Sequence, residues 1–310
     1  MTKGKIAIAG GTGFIGRRLA ERFLEEGYEI LIISRSASAE LPFNAKVVAF
    51  DSKSPSQEAE RELEGCLAIV NLAGASIAGK RLTDEYKKIV RASRVDYTAA
   101  LSDLINSMER PPGIFVSASA VGIYGERGDE ILTEKSEPGS GFLEDLCRDW
   151  EFASRIAVRS TAVCNPRLGI VLDAEEGSLP KQLKLFRLGL GGVLASGAQW
   201  TPWIHIDDVV ELFKTCVEKK LSGAVNATSP EPVRNERFTG ALARACGIPA
   251  LLPVPKFALK LALGELAEYV LQSQRVVPEI ALANGFKFKY EIVEPALQDI
   301  VNRKLKGKIR

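Results

Sequence analysis

Histidine is almost missing from this 310-residue chain, with His205 standing alone. The five cysteines, Cys66, Cys147, Cys164, Cys216 and Cys246, are scattered singly with no C-x-x-C spacing. Together these absences exclude the ligand spacings of a zinc centre, and no metal is expected. An odd number of isolated cysteines also argues against a disulfide frame and for reduced thiols. An excess of one charge is lacking too: 41 Lys and Arg against 39 Asp and Glu leave a net +2. The one basic cluster, 303–310, reads as a solvated helix end or frayed tail, so no nucleic-acid partner is expected. No stretch of about 18 uncharged apolar residues is present to span a bilayer. The nearest approach, 251–266, is interrupted by Pro253, Pro255, Lys256, Lys260 and Glu265. The first apolar run, 6–9, leads directly into a glycine turn and not into a signal-peptide cleavage site. No internal repeat or low-complexity linker appears. The expectation is a cytoplasmic protein with no membrane partner.

What is present is a globular pattern, 46% hydrophobic and 26% charged. Short apolar runs at 5–9, 29–34, 46–50, 67–72, 114–118 and 162–166 alternate with helical patterns at 14–26, 84–108 and 141–155. Uniformly apolar strands separated by helices imply a parallel sheet covered on both faces. Beyond residue 169 the pattern changes. Helices are expected at 179–188, at 208–220 with Asp207 as N-cap, at 235–246 and at 256–272, and a strand at 223–228. The predicted fold is a doubly wound parallel α/β sheet of Rossmann type with a smaller, mainly helical C-terminal substrate lobe. Residues 1–172 form the first part, with 203–228 returning to it; 173–202 and 229–310 form the lobe. A cleft between them would hold a small-molecule substrate.

The run Gly10-Gly11-Thr12-Gly13-Phe14-Ile15-Gly16 follows the first strand and opens the first helix. It contains G-x-x-G-x-x-G (Gly10, Gly13, Gly16) and G-x-G-x-x-G (Gly11, Gly13, Gly16). Gly10 and Gly11 permit the turn, Gly13 lets backbone approach a pyrophosphate, and Gly16 lets the helix pack on the strand. The free amides at the helix start, around Phe14, Ile15 and Gly16, together with the helix dipole, favour phosphate. The end of the second strand then chooses the dinucleotide. A ribose 2′-hydroxyl calls for a carboxylate there, but this chain carries Ser34 and Arg35, with no acid before Glu40. A guanidinium suits a 2′-phosphate, so NADP(H) is the expected cofactor; Arg17 and Arg18 add positive charge nearby. Asp51, after the third strand, is placed either at the adenine edge or as a simple turn residue. Asn71, Leu72, Ala73 and Gly74, at the end of the fourth, would carry backbone past the adenine ribose.

These motifs resemble the extended short-chain dehydrogenase/reductase superfamily, and more closely its NAD-dependent epimerase/dehydratase-like branch of poorly defined substrate. The matching stretches are 71–80, 117–125, 186–192, 203–208 and 226–230, and the likeness continues through 253–300, a segment peculiar to that branch. The resemblance implies hydride exchange at a hydroxyl or carbonyl carbon, with a nucleotide sugar as the substrate class the branch name suggests. It also implies a Tyr-x-x-x-Lys pair, in which Lys lowers the Tyr pKa, helped by a Ser after the fifth strand. Ser119 takes the serine position, with Ser117 as the alternative and otherwise a cofactor contact. The pair is missing: Leu143 and Cys147 stand where Tyr and Lys belong. Arg94 replaces the Asn that relatives commonly carry, and is expected at the cofactor, as the resemblance favours, at an anionic substrate, or on the helix surface. Tyr124 is the nearest phenol and the candidate replacement acid. Cys147 and His205 each have a structural and a catalytic reading. Arg167 would hold the nicotinamide end or a substrate anion. Two functions therefore stay open: an NADP(H)-dependent oxidoreductase or epimerase-like enzyme, or an NADP(H) sensor or scaffold that has lost catalytic power.

Overall fold

All six apolar runs become strands paired in parallel register, because their side chains are buried on both faces of one sheet. They are β1 (Lys5–Ala9), β2 (Glu29–Ser34), β3 (Lys46–Ala49), β4 (Ala68–Asn71), β5 (Ile114–Ser117) and β6 (Ala162–Leu168). With β7 (Gly223–Ala227) the order is β7-β6-β5-β4-β1-β2-β3. The pairs β1–β2, β1–β4, β2–β3, β4–β5 and β5–β6 are parallel. The chain reverses its direction of travel between β1 and β4, the switch point of a doubly wound α/β fold. This computed structural model describes residues 2–36, 41–54, 56–159, 161–250 and 252–307. Glu40 and the last three residues of the basic terminal run lie outside the described residues.

Two compact units make up the chain. The first comprises residues 1–119, 146–166 and 210–225. One face of its sheet presents Ala7, Ala9, Leu31, Ile33, Ile69 and Phe115 to a core shared with Leu101, Leu104 and Ile105. The alternate residues Ile6, Ile8, Ile30, Ile32, Val70 and Val116 are equally buried, as period-two alternation requires. Helix α1 (Phe14–Glu25) packs against β1 and β2 with Leu19, Ala20 and Phe23 buried. Its Arg22 pairs with Glu211. Helix α2 (Gln57–Leu63) is N-capped by Ser56, which accepts from the Ala59 amide at 3.1 Å.

The expected helix at 84–108 is continuous but not uniform. It runs as α3 (Asp84–Arg91), a π turn at Ala92–Asp96, and α4 (Tyr97–Ser107). Helix α5 (Phe142–Arg155) meets α4 in this unit, where Ser102 Oγ donates to the Ala153 carbonyl at 2.8 Å.

The second unit comprises 120–145, 167–209 and 226–310. It is mainly helical, with α6 (Leu179–Arg187), the start of α7 (Ile206–Lys219), α8 (Asn235–Cys246), α9 (Lys256–Leu263), α10 (Leu266–Val270), α11 (Glu279–Ala283) and α12 (Val293–Gly307). Short strand pairs tie these together, such as Trp203–His205 beside Ile170–Leu172. The expected helix 256–272 is broken at Gly264, whose φ of +64° is a left-handed value that stops α9. Asp207 is not the N-cap of α7: the helix already begins at Ile206, and the Asp207 carboxylate binds Arg303 and Lys289 instead. No helix among the described residues is long and apolar enough to cross a membrane.

Candidate functional site

The glycine turn is held by its own backbone. Gly13 N–H donates to the Gly10 carbonyl at 3.0 Å, and Arg17 N–H to the Gly13 carbonyl at 3.0 Å. Gly10 has φ +76°, and a Cβ there would lie 2.8 Å from the Leu72 carbonyl carbon. A Cβ on Gly16 would collide with the Gly10 carbonyl oxygen. Only glycine therefore allows α1 to start this close to β1. Helix α1 has no side-chain cap and no acid in its first turn among the described residues. The amides at Phe14, Ile15 and Gly16 are thus left for an anion.

Around this turn stand the other strand ends. Ser34 accepts from the Ser36 amide at 3.3 Å, and Arg35 beside it is exposed. Burial pushes the Tyr97 phenol up, and the positive charge of Arg35 opposes that rise. Asp51 is exposed and takes the turn geometry, accepting from the Lys53 amide at 3.0 Å. At the end of β4, Leu72 N–H donates to the Ala9 carbonyl at 2.9 Å. Ala73 N–H donates to Asn71 Oδ1 at 3.1 Å.

Asn71 organises the polar floor beneath these ends. Its Nδ2 donates to Thr98 Oγ1 at 2.8 Å and to Ser117 Oγ at 3.2 Å. Trp150 Nε1 donates to the same Thr98 hydroxyl at 3.0 Å. Ser117 is fully buried in this network. Next to it, Ser119 Oγ donates to Glu151 Oε1 at 2.8 Å, and both groups are buried.

Arg94 projects from the π turn onto the β4 loop. Its Nη1 donates to the Ala75 carbonyl at 2.9 Å, while Ser93 Oγ accepts from the Ala75 amide at 3.0 Å. The guanidinium lies over the Trp150 ring at 5.2 Å and touches Gly74, where a Cβ would sit 3.1 Å from Cζ. No carboxylate among the described residues pairs with it. Burial accordingly lowers its pKa. A half-buried cation without a counter-ion, beside a strand end, is a natural anion contact.

Residues of the second unit are arranged differently. Tyr124 is fully buried, donates to Asn226 Oδ1 at 2.7 Å and accepts from Arg167 Nη1 at 2.8 Å. The Arg167 guanidinium also lies 5.2 Å over the Tyr124 ring. Burial raises the Tyr124 pKa, with Arg167 opposing. His205 is fully buried, stacks on Tyr290 at 3.9 Å, and its Nε2 lies 3.2 Å from Asp299 Oδ2. The Asp207 amide donates to His205 Nδ1 at 3.1 Å, which fixes the neutral tautomer with its proton on Nε2. Helix α5 carries Leu143 and Cys147 and contains neither Tyr nor Lys. Among the described residues no His/Cys/Asp/Glu group gathers to hold a metal.

Residues 6–228 match the model of the NAD dependent epimerase/dehydratase family. The chain belongs to that family. Residues 254–300 of this epimerase-family chain match a domain of unknown function, DUF1731. It is 39% identical over 305 residues to the chloroplastic epimerase family protein SDR39U1 homolog of Arabidopsis thaliana, covering 96% of this chain and 86% of that protein. It is 34% identical over 299 residues to epimerase family protein YfhF of Bacillus subtilis, covering 96% and 97%. Among solved structures, human epimerase family protein SDR39U1 (isoform 2) with NADPH superposes with a TM-score of 0.87 at 30% identity, covering 96% of this chain and 99% of that one.

Thr98, Trp150 and Glu151, and the side-chain role of Asn71, escape a reading of local motifs. Their partners lie 27 to 52 residues away, and no spacing rule reaches that far. A buried glutamate on a helix facing a strand-end serine is the one signal that could have flagged Glu151.

Proposed function

We propose that this chain binds NADP(H) and exchanges hydride at a hydroxyl or carbonyl carbon of a small molecule. The carrying observation is the uncapped start of α1 at the glycine turn, with Arg35 instead of an acid at the end of β2. The glycines fit the group, because backbone amides and not side chains face the ligand there. Gly10, Gly13, Phe14, Ile15 and Gly16 would hold the pyrophosphate. Ser34 and Arg35 would hold the 2′-phosphate, and Asp51, Leu72, Ala73 and Gly74 the adenosine. Arg94, Ser117 and Arg167 are assigned to the remaining anionic or nicotinamide contacts. NADP(H), when bound, supplies or accepts the hydride.

The proton falls to the chain. Ser119 Oγ would hydrogen-bond the substrate oxygen, and Glu151 would take the Ser119 proton as that of an alcohol moves onto the serine. Tyr124, committed to Asn226 and Arg167, acts on this reading by positioning Arg167. Residues 1–172, with 203–228, are assigned to the cofactor, and 173–202 with 229–310 to the substrate. A nucleotide sugar is the first substrate class to test. The free cysteines suit a reducing location such as the cytoplasm.

A second reading, an NADP(H) sensor, draws on one observation: α5 offers no Tyr or Lys to activate a phenol. Calorimetry with NADPH and NADH on the native chain and on Arg35→Asp tests the shared premise. NADPH should bind at least about tenfold tighter, roughly 1.4 kcal/mol, and the preference should vanish in the variant. Equal affinities would refute the cofactor assignment. Tight binding without oxidation of NADPH by carbonyl or nucleotide-sugar panels would favour the sensor.

A further inference from the structure

The second unit carries a face that the cofactor chemistry leaves unused. Large apolar side chains stand exposed on two adjoining segments. Leu185, Leu188 and Leu190 lie at the end of α6 and just beyond it, and Leu252, Phe257 and Leu261 lie at the start of and along α9. Phe257 and Leu261 are 74% and 76% exposed. They are four residues apart, so they share one stripe of the helix. The segments run side by side. Val254 N–H donates to the Val193 carbonyl at 2.8 Å, Ala195 N–H to the Val254 carbonyl at 2.9 Å, and Gly192 presses on the Leu252 carbonyl so closely that a Cβ would collide with it.

The charge along these segments is mainly positive, although Glu265 and Glu268 follow directly after α9. Stretches 177–194 and 247–264 contain Lys181, Lys184, Arg187, Lys256 and Lys260 and no Asp or Glu. Glu268 of α10 meets Lys260 at 2.9 Å, the one ion pair the described residues show there. Soluble surfaces seldom expose this many large apolar side chains close together. An apolar stripe flanked by lysines, whose stems can lie along it while the ammonium groups stay wet, matches the headgroup region of an anionic bilayer. A second copy fits less well. A two-fold contact would bring together two copies of a surface on which Lys181, Lys184, Arg187, Lys256 and Lys260 outnumber Glu265 and Glu268, and Glu268 is already engaged by Lys260.

We propose that this face, α9 with the end of α6, docks peripherally on an anionic lipid surface. The contact is interfacial and reversible. It places the second unit against headgroups and needs no spanning helix.

Flotation of the full chain with vesicles tests it. Phosphatidylcholine vesicles containing phosphatidylglycerol should retain at least about tenfold more protein than phosphatidylcholine alone, less so as salt is raised. The pairs Phe257→Asp with Leu261→Asp, and Lys256→Glu with Lys260→Glu, should each abolish the difference. Phe152→Asp, at an exposed position of α5, should not. Unchanged thermal melting shows that each variant folds, and the lysine pair serves should the apolar pair not fold. No retention by either vesicle, equal retention by both, or retention unaffected by both pairs overturns the proposal. So does a native dimer, seen by light scattering, that the Phe257/Leu261 pair dissolves, because the face would then belong to a second copy.

Discussion

Gly16 shows how much one missing Cβ can decide. A methyl group there would collide with the Gly10 carbonyl, so Gly16→Ala must push the start of α1 away from β1. The expected outcome is a loss of roughly 1–3 kcal/mol of stability together with weaker NADPH binding. Thermal melting and calorimetry on one preparation read both, and an unshifted melt would show that the turn relaxes without harm. Such residues were legible because their role is local: a glycine turn after a strand and an Arg where an acid would stand need no knowledge of the rest of the chain. Glu151 was not legible, since its partner Ser119 is 32 residues away in sequence. Tyr124 was visible as a phenol, but only the fold reveals that its hydroxyl is engaged from both sides.

Among the elements, the π turn at Ala92–Asp96 is the departure with most chemical content. Its wider coil lets two consecutive residues, Ser93 and Arg94, hold the amide and the carbonyl of the same residue, Ala75. Arg94 also carries an unmatched positive charge whose burial costs stability. Arg94→Met should therefore leave the melting temperature unchanged or raised while weakening NADPH binding about tenfold or more. A parallel fall in both would make the arginine a structural brace. Sequence periodicity found the helical stretch from Asp84 but cannot see one extra residue in a turn. Helix α12 was missed for a different reason. Its buried Val293, Ala296, Leu297, Ile300 and Val301 follow the 3.6-residue repeat, yet attention to the basic run at its end left only a helix end or a frayed tail there and no helix bounds. Gly264, by contrast, was a legible stop inside the expected helix 256–272.

In the whole molecule, a cluster of long-range polar contacts joins the start of α7 to α12 and the segment before it in the second unit. Asp207 binds Arg303 and Lys289, and His205 faces Asp299 while stacked on Tyr290. Burial opposes ionisation of Asp207, but Arg303 and Lys289 outweigh it and hold the carboxyl well below its usual range. Burial pushes His205 down to about 4. Its unfolded value is about 6.5, so between these limits the unfolded chain takes up a proton that the folded chain resists. Stability should be full above about pH 6.5 and should fall as pH drops toward 4. Calorimetric melts across that window should show the decline, and His205→Asn, though less stable, should flatten it. A native profile level through this range would mean that the imidazole can be protonated without loss. The parallel sheet was legible from the strand runs, whereas this junction joins residues more than 80 apart and was not.

The division of the chain also bears on its birth. The first unit draws on three separate stretches and ends with 210–225, which includes most of β7. While the ribosome is still making α6, the nascent sheet lacks its last strand, and β6 stands as an open edge able to pair with a neighbouring chain. For most of synthesis this protein carries its cofactor-loop sequence on a sheet that cannot be completed until β7 has emerged.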